Sequence, residues 1–137
     1  MAKELFSRNQ EIGEILEELP EGFPKALRRV IEWTDMTQEE FAYHAGMSVK
    51  TLSRLISGET QNPTPQMIMR ICIGLSLPVE LSIRLMKRSG NELRTSRQDL
   101  AYMQLLFFSG YYDIEQCNEI LSCQGLKTLG CMEKASA

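Results

Sequence analysis

Residues 37–59 read TQEEFAYHAGMSVKTLSRLISGE, and the order of residue types in this stretch decides the fold. Thr37 is followed three residues later by Glu40, the pairing of a capping box that opens a helix. Phe41, Ala42 and Ala45 are spaced to face inward on that helix. Gly46 then supplies a residue that tolerates the left-handed conformation at a helix end. Ser48 is placed to cap a second helix, whose Leu52 and Leu55 face inward and which stops at Gly58. Gly46 lets the chain reverse within a few residues, and Ala42 is small where the two helices cross. The second helix therefore projects its N-terminal end outward.

An ordinary α-hairpin would use many of the same residues, so the flanking segments carry weight. Upstream, PKALRRVIEWTDM (residues 24–36) places Leu27, Val30 and Ile31 on one helical face, with Pro24 suited to a helix start. Downstream, the loop ETQNPTP leads to a fourth helix with Thr64 as cap and Pro65 in its first turn. Met67, Ile68, Ile71, Cys72 and Leu75 form its apolar face. Ser76 and Pro78 are expected to open a fifth helix that carries Leu81 and Leu85 and closes at RSGN. No segment alternates convincingly as a strand. Short helices joined by connections of a few residues make a compact all-α domain.

On either side lie two further helical segments. Ile12, Ile15, Leu16 and Leu19 form a stripe on a first, Glu-rich helix, which Pro20, Gly22 and Pro24 separate from the main domain. Near the other end, Ser96 and Asp99 resemble a capping box before LAYMQLLFF, with Gly110 ending that helix. Asp113 is placed to cap another helix holding Ile114, Cys117, Ile120 and Leu121. These two are read as a helical hairpin that must dock on the rest of the chain or on a partner, since a short pair buries too little apolar surface alone. Residues beyond Gly125 are expected to be poorly ordered. The expected organisation is an N-terminal amphipathic helix at 1–21, a five-helix domain at 22–90 and a C-terminal helical extension at 91–137.

The 137 residues hold 15 Lys+Arg and 18 Asp+Glu, a net charge of −3. The charge is unevenly spread. Residues 1–21 have two basic and six acidic side chains, residues 22–90 nine and six, and residues 91–137 four and six. Only the middle is net basic, and a polyanionic partner belongs there. Hydrophobic residues at 43% and charged residues at 24% fit a soluble globular chain. No apolar run approaches the roughly 20 residues that span a bilayer, and the acidic N-terminal stretch does not read as a secretory leader. A cytoplasmic location with no membrane partner is expected. Cys72, Cys117, Cys123 and Cys131 include no C-x-x-C pair and His44 is the only histidine, so no metal is expected and the thiols are read as small hydrophobes. With no Gly-rich phosphate loop, no Ser/His/Asp set and no H-E-x-x-H, neither a cofactor nor an enzymatic activity is expected.

Thr37-Gln38, the small Ala42, Gly46, Ser48, Leu52, Leu55 and Ser57-Gly58-Glu59 stand in order, followed by a proline-containing loop and an apolar fourth helix. Over roughly residues 25–85 this pattern resembles the phage Cro and repressor-like (XRE-type) helix-turn-helix family. The resemblance implies double-stranded DNA as partner, with helix 48–57 in the major groove. It implies base reading by Val49, Lys50, Thr51 and Arg54. Lys50 and Arg54 can donate to guanine and Val49 or Thr51 can meet a thymine methyl; the alternative is that the two cations bind phosphate only. It implies phosphate contacts from Gln38, Ser48, Thr60 and Asn62, with Gln61, Arg28 and Arg29 nearby. Glu39 and Glu40 suit a helix N-terminus, and in some relatives acidic residues on this helix touch RNA polymerase. Family members usually pair on two half-sites, which implies a homodimer. The acidic first helix and the apolar LAYMQLLFFSGYY are both candidates for the dimer surface. The competing reading, from a different class, is an antitoxin-like or adaptor protein whose C-terminal helices bind a partner protein.

Overall fold

The computed structural model describes residues 2–130, with side chains from Arg8 onward. Among the described residues there are eight helices and no strand: α1 (Ala2–Glu18), α2 (Phe23–Thr34), α3 (Gln38–His44), α4 (Val49–Ser57), α5 (Pro65–Gly74), α6 (Val79–Arg88), α7 (Arg97–Phe107) and α8 (Ile114–Cys123).

The centre of the molecule is α5. Its sequence suggests one apolar face, yet Ile68 to Ile73 are buried without a break, while Met67 and Leu75 at the expected edges are only partly covered. The reason is tertiary: α6, α7 and α8 all lie against α5, and a helix covered all round has no solvent face to show as periodicity. Local chemistry still sets its start, where the Thr64 hydroxyl accepts from the Met67 N–H at 3.2 Å and Pro65 occupies the first turn.

Its end departs from the expected pattern. Ser76 does not open α6, which begins at Val79 after Pro78. Instead Ser76 takes a left-handed conformation, φ 50°. The Leu77 N–H reaches back to the Cys72 carbonyl at 3.0 Å and the Ser76 N–H to that of Ile73 at 3.1 Å, closing α5 as a Schellman turn. A Cβ in this conformation is strained, so Ser76→Gly is expected to stabilise the fold by about 0.5–1 kcal/mol. Urea midpoints of the two forms check this, and a less stable glycine variant would contradict it.

α1 packs on α6, and Ile15 and, just past its end, Leu19 are buried. Two polar ties fix the connection: Arg29 pairs with Glu18 at 2.7 Å, and Arg88 Nε donates to the Pro20 carbonyl at 3.0 Å. At the other end, α7 covers α5 and α6, and α8 covers α5. Ser96 caps α7 by accepting from the Asp99 N–H at 3.0 Å, while the Asp99 carboxylate accepts from the Arg94 N–H at 2.9 Å. Asp113 and Gln116 form a complete capping box at α8.

Residues 126–130 are not loose, and the expectation that order ends at Gly125 is corrected for them. Leu129 is fully buried. The Lys127 carbonyl accepts from Tyr102 Oη at 3.1 Å and from Gln98 Nε2 at 3.0 Å, and the Lys127 N–H donates to Gln98 Oε1 at 2.8 Å. Asn118 takes the Leu129 N–H at 2.7 Å and donates to the Gly130 carbonyl at 2.9 Å. Arg70 donates to the Leu129 carbonyl at 3.1 Å. Apolar anchoring together with paired backbone groups outweighs terminal fraying here. Residues 131–137, including Cys131, lie outside the described residues.

Two thiols sit inside this packing. Burial pushes Cys72 up to about 12 from 9.0, with the Ser82 hydroxyl beside it offsetting part of the rise. Burial, then the Asp113 carboxylate, pushes Cys117 up to about 11. The unfolded chain releases these protons first, so both contributions are complete below about pH 9 and are lost as pH rises toward the folded values. The fully buried Cys72 alone should cost about 1.4 kcal/mol per pH unit over that range. Urea unfolding at about pH 8 and about pH 10 measures the fall. Cys72→Ala should make it shallower, and an unchanged slope would sink the assignment.

Candidate nucleic-acid interface

The α3–turn–α4 unit is built from three local devices. At its start the Thr37 hydroxyl accepts from the Glu40 N–H at 3.1 Å and Glu40 Oε1 accepts from the Thr37 N–H at 3.4 Å, a complete capping box. Between the helices Gly46 takes φ 68°. That conformation lets the Met47 N–H reach the Ala42 carbonyl at 3.0 Å and the Gly46 N–H that of Tyr43 at 3.2 Å, while Met47 is buried against the core. At the second start, Ser48 Oγ accepts from the Thr51 N–H at 3.1 Å. Phe41 and Ala42 from α3, and Leu52, Leu55 and Ile56 from α4, are buried. α4 lies against α2 and α3, which leaves one face outward.

That face consists of Lys50, Ser53, Arg54 and Ser57, all exposed. At about 100° per residue these four fall within a third of the helix circumference. Val49 and Thr51 flank the stripe. Val49 is half-buried and packs on the core; Thr51 is half-buried with its hydroxyl 2.9 Å from Ser48 Oγ. The sequence grouped both with the outward positions. The structure places them at the edges of the stripe, about 100° to either side of Lys50, where both are half-buried. Ser53 was not singled out from sequence, and Ser57 was named only within Ser57-Gly58-Glu59, not as part of the outward face. Their helical spacing from Lys50 and Arg54 was the available signal.

Gln38 is exposed at the first position of α3, and Ser48 is half-buried at the cap of α4. The Thr60 N–H donates to the Arg54 carbonyl at 3.1 Å, holding the following loop close to the end of α4, with Asn62 exposed beyond it. Gly58, at the end of α4, lies against the half-buried Pro24 at the start of α2, so the exposed Lys25 neighbours that same end.

Electrostatics narrows the useful cations among residues 22–90. Arg70 is buried beneath the 126–130 segment, Arg88 is spent on the Pro20 carbonyl, and Lys87 lies 3.8 Å from Glu92. Arg29, read from sequence as a neighbouring phosphate contact, is held by Glu18. Lys25, Arg28, Lys50, Arg54 and Arg84 remain exposed. Arg54 lies 3.9 Å from Glu59, a wide, solvent-exposed pair that holds it weakly. Among the described residues no group of three His, Cys, Asp or Glu side chains could hold a metal ion, and no helix is long and apolar enough to cross a membrane.

A capped helix, a glycine turn and a second helix presenting cations outward make a helix-turn-helix arrangement. Residues 25–82 match the family model described as a helix-turn-helix domain, a family of the XRE/Cro-like type, and this segment is such a domain. The match spans α2 to the first half of α6. No curated protein and no solved structure matches the chain significantly.

Proposed function

We propose that this protein is a sequence-specific DNA-binding transcriptional regulator that inserts α4 into the major groove and acts as a homodimer on a two-half-site operator. The observation that carries the reading is the exposed Lys50–Ser53–Arg54–Ser57 stripe on a helix fixed at both ends by caps. A helix held this firmly can present donors to base edges with little loss of side-chain and backbone freedom beyond the cations themselves. Lys50 and Arg54 are the base-reading residues, with Val49 and Thr51 contributing methyl groups from the flanks of the stripe. Gln38, Ser48, Thr60 and Asn62 position the phosphates. Residues 22–90 form the DNA-binding unit, with residues 1–21 and 91–137 as its helical additions.

Dimerisation draws on α7. Its buried side is Ala101, Tyr102, Leu105 and Leu106, yet Leu100 and Phe107 are exposed on the other side and Phe108 is exposed at its end. A helix apolar on both faces has half its surface uncovered, and a second copy is the occupant a two-half-site operator requires. The same exposed side supports a second reading, an antitoxin-like or adaptor protein that covers it with a different chain.

Selection of bound duplexes from a random pool tests the function. Enriched sites should be inverted repeats with half-site centres about 10 bp apart, and binding should weaken steeply with salt. No enrichment together with a shallow salt dependence overturns the DNA reading.

A further inference from the structure

Beyond the DNA-facing stripe, the end of α3 and the α7–α8 turn face one another across a cleft of about 460 Å³. That volume lies within the range of small-molecule sites, about 300–1,000 Å³. One wall is Tyr43 and His44, the last two residues of α3, whose rings meet edge to face at 5.6 Å. The opposite wall is Tyr111, Tyr112, Asp113 and Glu115. Buried Ile73 and Ile114 contribute an apolar floor.

The residue types specify what fits. Tyr43 and Tyr111 are 72% and 78% exposed, so two broad ring surfaces from opposite walls are open to an apolar body. Their π-faces attract positive charge. Asp113 accepts from the Gln116 N–H at 2.8 Å and retains a second oxygen, and Glu115 makes no hydrogen bond or ion pair among the described residues. No Lys or Arg lines the cleft. An anion placed there would face two carboxylates with no fixed cation. We propose that this cleft binds a small organic cation, an aromatic or flat apolar body bearing a substituted ammonium group.

The site touches the helix-turn-helix directly. The His44 carbonyl lies against Gly74 at the end of α5, and two residues on, Gly46 turns the chain into α4. A ligand bridging Tyr43 and Tyr111 makes contacts that depend on where α3 sits relative to the tail, and such a difference couples its occupancy to DNA affinity. This coupling rests on the DNA-binding reading, whereas ligand binding stands without it.

The test is calorimetric titration of the full chain with benzyltrimethylammonium, against benzyl alcohol and benzenesulfonate as neutral and anionic compounds of similar size. The cation should bind about tenfold more tightly than either, and Tyr43→Ala, Tyr111→Ala and Glu115→Gln should each weaken it about threefold or more. All three positions are exposed, so the thermal midpoint should be unchanged, and Lys50→Ala should leave cation binding intact. Absence of saturable binding, equal affinity for the three compounds, or indifference to all three substitutions would overturn the site. Anisotropy of a selected duplex, with and without saturating cation, reads the coupling; a shift of about threefold is expected. An unchanged DNA affinity with the cation bound would remove the coupling alone. Failure to bind DNA even without the cation would count against the DNA reading instead.

Discussion

Replacing Gly74 by alanine is expected to lower the unfolding free energy by about 2–3 kcal/mol, against the usual preference of a helix for alanine. Gly74 is the last residue of α5, where the helix passes the end of α3. A Cβ there would sit well inside contact distance of the His44 carbonyl oxygen, 2.8 Å from its carbonyl carbon and 3.0 Å from Ala45 Cα. These are backbone atoms, so no side-chain rotation can relieve the overlap. α5 and the α3 end must separate, and Phe41, Ala42 and Ala45, all buried, would lose packing with them. The same displacement moves the support of α4, so DNA affinity should fall together with stability. Gly13→Ala in α1 is the internal control. A Cβ at Gly13 has nothing within 4 Å, and the change should be neutral or stabilising by up to about 1 kcal/mol. Denaturant unfolding of both variants reads the difference. Equal effects at the two positions would show that the α3–α5 approach is looser than described.

Why the sequence disclosed Gly46 but not Gly74 lies in the range of the forces involved. The Gly46 turn is announced by residues within ten positions of it: the Thr37–Glu40 box, the alanines and Ser48. All of these form in the folded protein with the partners that their spacing implies. Gly74 is required by a carbonyl thirty residues away, and nothing local distinguishes it from a tolerated helical glycine. The same division holds elsewhere. The caps of α5, α7 and α8 were legible because each is a contact between residues three apart. The burial of Arg70 and Ile73, and the ordering of residues 126–130 by Gln98, Tyr102 and Asn118, join positions too distant for any periodicity to report. At the candidate interface, helical spacing put Val49, Lys50, Thr51 and Arg54 on one outward face, whereas only the two cations are exposed and Val49 and Thr51 are half-buried at its edges. Which flank of a helix touches its neighbours depends on the crossing angle, and the crossing angle is a tertiary quantity.

The largest loss of DNA binding is expected from removing both cations of α4. Lys50→Ala and Arg54→Ala should each cost about 1–3 kcal/mol on a selected duplex if they donate to guanine edges. Both side chains are exposed, so neither change should alter the thermal midpoint, which separates lost recognition from lost folding. On random DNA each variant should lose less and should flatten the salt dependence by about one counterion. Equal losses on selected and random duplexes would assign both residues to phosphate and leave the specificity to other positions. Thr51 and Val49 are poorer probes, because one is tied to the Ser48 cap and the other packs on the core, so truncating either disturbs α4 itself. Glu59→Gln supplies the opposite sign. It removes a carboxylate 3.9 Å from Arg54 and should raise affinity modestly without changing which sites are preferred. The protein carries a net charge of −3, and a single stripe of two cations supports few phosphate contacts. Two copies on one operator double that number while the acidic segments stay outside the two α4 helices. Site preference should therefore disappear on dilution below the dimer's dissociation range, and selectivity that persists in a monomer would contradict the two-half-site reading.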